Sequence, residues 1–131
     1  MSEQQRPAIE MSVPADGAYL AVVRTAAAGL AARLDFTLDD IEDLRIAVDE
    51  ASSILLAQAV RGSDLRCRFH LSFDALTVVV EVTANRPSIP TRDGFAWTVL
   101  SALASSVDFA VTEDDLVQIT LVQRRPAAGA S

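Results

Sequence analysis

The chain has 131 residues, half of them apolar and 22% charged, enough for one folded domain with one core and too few for two. A formal net charge of −7 excludes a nucleic-acid binder that works through a broad basic surface. All eleven cations are Arg, which removes the P-loop and Schiff-base chemistry, and one Cys with one His builds neither a structural zinc site nor a disulfide framework.

Carboxylate chemistry or partner binding is what remains favoured. No run approaches the ~18 apolar residues of a membrane span. Met1-Ser2-Glu3-Gln4-Gln5 lacks the basic-then-apolar pattern of a signal peptide, so the expected location is the cytoplasm.

In chain order, Ala8 to Val13 alternates apolar and polar residues and predicts a strand that Pro14 stops. Asp16 then caps a helix whose apolar residues Leu20, Val23, Ala27, Leu30 and Leu34 recur at three- and four-residue steps. Thr37-Leu38-Asp39-Asp40 is a capping box that opens a second helix. Its core face reads Ile41, Leu44, Val48, Ala51 and Leu55, with Gly62 as its stop.

The period then changes to two. Leu65, Cys67, Phe69, Leu71 and Phe73 alternate with Arg66, Arg68, His70 and Ser72, and after a short Asp74-Ala75 connection Leu76 to Val82 forms the partner strand of a hairpin. Residues 84–93 carry two prolines and read as a loop. Phe95 to Ser106 reads as a helix with Phe95 and Trp97 in the core. Strands at Val107–Val111 and Leu116–Val122 finish a domain of residues 1–123, and 124–131 reads as a disordered tail. The order predicts an α+β fold: a two-layer sandwich with a mixed, largely antiparallel sheet and helices on one face.

Two stretches carry a resemblance. Leu34-Asp35-Phe36-Thr37, followed by Asp39 to Leu56 with Val48-Asp49-Glu50-Ala51, resembles the two-helix start of the partner-switching serine kinases of the GHKL ATPase fold, the anti-sigma regulatory family. Gly94 to Leu100, leading to Val107-Asp108, resembles that family's last ATP-lid glycine segment and the helix after it. The resemblance spans roughly residues 8–122, and the composition, rich in Arg, Ala and Val, fits the actinobacterial stress branch. It implies an anti-sigma factor that sequesters an alternative RNA-polymerase sigma factor, is released by a STAS-type anti-anti-sigma protein, and forms a homodimer. Partner contacts fall by resemblance on Arg24 and Thr37, and the family's catalytic base falls on Glu50.

The nucleotide positions depart from the family pattern. Its magnesium-ligating Asn, four residues after the Glu, is here Ile54, and the only Asn in the chain is Asn85. Its adenine-binding Asp and two glycines fall on Ala84, Arg86 and Ser88, and Gly94 is the only glycine between Gly62 and Gly129. Ile54 offers magnesium no oxygen, and Arg86 puts bulk where a ligand must approach the backbone. The expected vestigial site is therefore Glu50, Ile54, Ala84, Arg86, Ser88 and Gly94, with no cofactor bound, no metal and no kinase activity.

The alternatives are an active ATP-dependent serine kinase acting on the anti-anti-sigma protein through Glu50, and a small-molecule-sensing module. Each residue also has a plainer reading. Glu50 can be a packing acid, Thr37 is explained by its cap, and Arg24 lies ~100° from the core stripe of its helix, where it is expected to reach water. Cys67 reads as a small buried hydrophobe, and His70 as a polar-face strand residue.

Overall fold

A computed structural model describes residues 8–125. Five strands, β1 (Ile9–Pro14), β2 (Asp64–Leu71), β3 (Ala75–Thr83), β4 (Ser106–Val111) and β5 (Leu116–Arg124), form one sheet in the order β1-β2-β3-β5-β4. Every pairing is antiparallel, so the expected mixed sheet has no parallel pair among the described strands. Three helices, α1 (Leu20–Arg33), α2 (Leu38–Leu56) and α3 (Phe95–Leu103), make the second layer.

Strand alternation decides which face they cover. Leu65, Cys67 and Phe69 of β2, Leu76, Val78, Val80 and Val82 of β3, and Val117, Ile119 and Leu121 of β5 all point to one side, where they meet Val23, Ala27 and Ala31 of α1 and Leu44, Val48, Ala51 and Leu55 of α2. The opposite face carries Arg66, Arg68, His70, Thr77, Gln118 and Thr120. None of the described helices is long and apolar enough to cross a membrane.

Several boundaries differ from expectation. Pro14 is the last residue of β1, paired with Asp64, rather than a residue outside it. Asp16 caps a 3-10 turn at Gly17–Tyr19, its carboxylate accepting from the Ala18 amide, and α1 starts only after that turn. Gly62 is not the stop of α2. That helix ends at Leu56, Ala59 bridges to Ala84, and Gly62 at φ +82° supplies the left-handed turn that reverses the chain into β2.

Phe73 leaves the strand alternation for the β2–β3 turn and stands 82% exposed, and Phe95 is 81% exposed rather than core. Trp97 is half-buried, set edge-on against Phe109 at 5.2 Å, with the Arg92 guanidinium 4.3 Å above its ring. β5 runs through Arg124, and Arg125 bonds to two other segments, so the folded domain passes the expected end at residue 123. The remainder of the expected tail, 126–131, lies outside the described residues.

Candidate functional site: the two flanks of helix α2

Helix α2 carries or adjoins Thr37, Glu50 and Ile54 and packs beside the Arg24 helix. Thr37 is its N-cap, extended at φ −68° and ψ 161°, and its hydroxyl accepts from the Asp40 amide at 3.1 Å. That satisfies one of the amides a helix start leaves without a partner, and Asp39 and Asp40 in the first turn complement the helix dipole. One flank faces α1. There the Arg24 Nη1 donates to Asp49 Oδ1 at 2.8 Å, with 32% and 41% of the two side chains exposed. Arg24 does lie at the surface, but it is paired across the two helices rather than solvated alone. Arg24 and Asp49 border a groove completed by Glu42, Arg45 and the exposed Ile46.

The other flank carries Glu50 and, one turn on, Ile54. Glu50 is half-buried, and among the described residues no ion pair reaches it. Ile54 packs its hydrocarbon against the core. Just past the helix end, Gln58 donates from Nε2 to the Ser88 carbonyl and accepts at Oε1 from the Ser88 amide, both at 2.8 Å. This two-point latch holds the loop 84–93 against α2.

The loop begins at Ala84, which is buried, bridged to Ala59, and bonded through its amide to the Asp115 carbonyl. Arg86 is exposed. Gly94 closes the loop as the N-cap of α3. A Cβ there would stand 2.9 Å from Thr91 Oγ1 and 3.3 Å from the Thr91 carbonyl, so the close approach explains the glycine without a ligand.

On the uncovered sheet face Glu81 is 4% exposed and receives Arg66 Nη2 at 2.9 Å, Arg68 Nη1 at 3.2 Å and Gln118 Nε2 at 2.6 Å. Burial raises its carboxyl pKa, but the Gln118 hydrogen bond and the two guanidiniums outweigh that and hold it below the ordinary 4.5. Cys67 lies on the covered face, and burial pushes its thiol up to about 12.

No family model matches the chain. Among curated proteins it is 37% identical over 102 residues to the serine-protein kinase RsbW of Halalkalibacterium halodurans, covering 72% of this chain and 63% of that one. It is 39% identical over 75 residues to RsbW of Bacillus subtilis, covering 55% and 47%. The chain thus spans less than two thirds of the length of these relatives. Its fold matches, at TM-score 0.67 and 16% identity, a crystal structure of the RsbU and RsbW domains of Rv1364c from Mycobacterium tuberculosis, over 95% of this chain and 35% of that one. The chain is an RsbW homologue.

In this RsbW homologue α2 and the latched loop bring Glu50, Ile54, Ala84 and Ser88 to one end of the molecule, while Arg24 sits on the α1 flank and Thr37 at the opposite end of α2. Of the residues on which the family resemblance places Mg-ATP contacts, Ile54 packs its hydrocarbon against the core and Ser88 has its backbone bonded to Gln58. Sequence reading missed Asp49 as the partner of Arg24, the Gln58 latch and the Glu81 cluster. Only the last left a signal: a lone Glu in the Val-rich run 78–82, with two Arg in the preceding strand.

Proposed function

We propose that this chain is an anti-sigma factor that sequesters an alternative sigma subunit of RNA polymerase and yields it to a STAS-type anti-anti-sigma protein, without phosphorylating either. The observation that carries the reading is the asymmetry of α2. On the Glu50 flank, Ile54 has no oxygen for a cation that prefers six, and the Gln58–Ser88 latch closes the loop onto the helix end. On the Arg24 flank, a groove with paired charges and an exposed Ile46 has the mixed apolar and charged character of a protein-binding surface.

The mechanism is competition for one surface made by α1, the α1–α2 junction and the start of α2. A partner's carboxylate takes the Arg24 guanidinium from Asp49, or joins Asp49 around it, since five N–H donors serve two carboxylates. The chain's net charge of −7 favours encounter with the basic nucleic-acid-binding surface of a sigma factor. The same reading makes the chain a homodimer.

Affinity purification from the native host tests the binding role: a sigma factor and a STAS protein should co-elute in mutually exclusive complexes. Arg24→Ala should leave melting within ~0.5 kcal/mol of the parent and weaken sigma binding at least ~30-fold. Unchanged affinity removes Arg24 from the interface.

A kinase reading is favoured by one observation: Glu50 is half-buried with no ion pair among the described residues, at the position the resemblance gives to a base, in a homologue of serine-protein kinases. Calorimetric titration with Mg-ATP separates the two. No magnesium-dependent binding is expected; a micromolar, magnesium-dependent dissociation constant selects the kinase.

A further inference from the structure

Leu38 and Phe73 are the two most exposed large apolar side chains next to the α1–α2 junction, at 84% and 82%. Neither position asks for its residue. Leu38 is the first residue of α2, where the backbone needs only a helical conformation, and Phe73 sits in a tight turn, where Asn, Asp or Gly is the usual choice. Single exposed hydrophobes need no explanation; two brought to one place do.

The fold brings the segments that carry them together. α2 ends beside Ala84, at the far end of β3, through the Ala59–Ala84 bridge. Its 19 residues span ~28 Å, and the nine of β3 span ~30 Å, so the start of α2 lies level with the start of β3 and the turn before it. Arg125 then pins the two segments. Its Nη1 donates to the Leu34 carbonyl at 2.9 Å, its Nη2 to the Phe73 carbonyl at 2.5 Å, and its amide to the Asp74 carbonyl at 2.7 Å. One guanidinium therefore holds the α1–α2 junction and the β2–β3 turn in a fixed relation, and the two side chains are presented from a preorganised base.

Charge identifies the occupant. Asp35, Asp39 and Asp40 lie within three residues of Leu38 along the chain and Asp74 follows Phe73, against Arg33 and an Arg125 already committed to carbonyls. We propose that Leu38 and Phe73 are the apolar anchors of a docking surface for a basic amphipathic helix of a protein partner, its apolar stripe covering the pair and its Arg or Lys residues meeting the four carboxylates. This rests on the anti-sigma reading, which makes that partner the sequestered sigma factor.

The test uses the sigma factor that co-purifies with the chain, titrated against four forms of the full chain: parent, Leu38→Ala, Phe73→Ala and Phe95→Ala. Phe95 is an equally exposed aromatic, 81%, at the start of α3. Both anchor variants should melt like the parent and lose at least ~10-fold in affinity, while Phe95→Ala binds normally. Asp39→Asn with Asp40→Asn should flatten the salt dependence of binding. Parent-like affinity in both anchor variants overturns the docking surface and leaves the anti-sigma reading standing. A parent that captures no sigma factor overturns both. A parent dimer that Phe73→Ala converts to monomer assigns the surface to a second copy and overturns the proposal.

Discussion

Glu81 is one acid in a run of β-branched residues, and its place was decided by what surrounds it. Three donors from two neighbouring strands reach its carboxylate, and they hold its pKa below 4.5 in spite of burial. A group whose folded pKa is depressed contributes stability that is fully present above its unfolded value and is lost as pH falls through the folded one. Glu81→Gln should therefore cost about 1–2 kcal/mol at pH 7, because both guanidiniums are exposed enough to be rehydrated. The difference from the parent should shrink as unfolding is measured below pH 4.5. An equal difference at pH 7 and pH 3 would detach the carboxylate from stability. Cys67 makes the second prediction at this scale. With the thiol pushed up to about 12, roughly one molecule in 10⁴ carries a thiolate at pH 8, so a thiol reagent should label the native chain only as fast as it unfolds. Fast labelling in buffer would contradict the burial of β2.

At the scale of elements, the loop 84–93 owes its position to side chains rather than to regular structure. Gln58 holds its middle, and the close contact between Gly94 and Thr91 sets its end. Because the latch is exposed, Gln58→Ala should cost about 1 kcal/mol locally and little in global melting. Amide exchange is the direct reading: Ser88 should lose protection and β3 should not. Retained protection at Ser88 would mean that Pro87 and Pro90 alone set the loop's shape. The same logic explains why the latch was not legible beforehand. Gln58 and Ser88 are thirty residues apart, and no local rule pairs them.

For the whole molecule, closing one sheet face under helices removes the apolar strand residues of that face from any role in assembly. Leu76, Val78, Val80 and Val82 are fully buried within a single chain, so these four side chains are not available to a second copy. Among the described residues the outer strands of the sheet are β1 and β4, where Ile9 and Val111 are 40% and 44% exposed, and these are the edges a homodimer would use. Light scattering at micromolar concentration should give twice the 14.0 kDa chain mass. A monomer throughout would retire the dimer.

Periodicity by itself determined the five strands, the three helices, the helix-covered face and the cap at Thr37, because each depends on neighbours within about seven residues along the chain. Spacing also placed Glu50 and Ile54 on one flank of α2, since positions four apart on a helix share a face. Tertiary structure decided the rest. It joined Arg24 to Asp49 across 25 residues and Arg125 to Leu34 across 91. It pulled Gln58 onto Ser88, and it exposed Phe73 and Phe95, whose apolar character had assigned them to the core. Hydrophobicity says that a side chain gains by burial, but only the closing of the sheet and the landing points of its turns determine which side chains find something to be buried against.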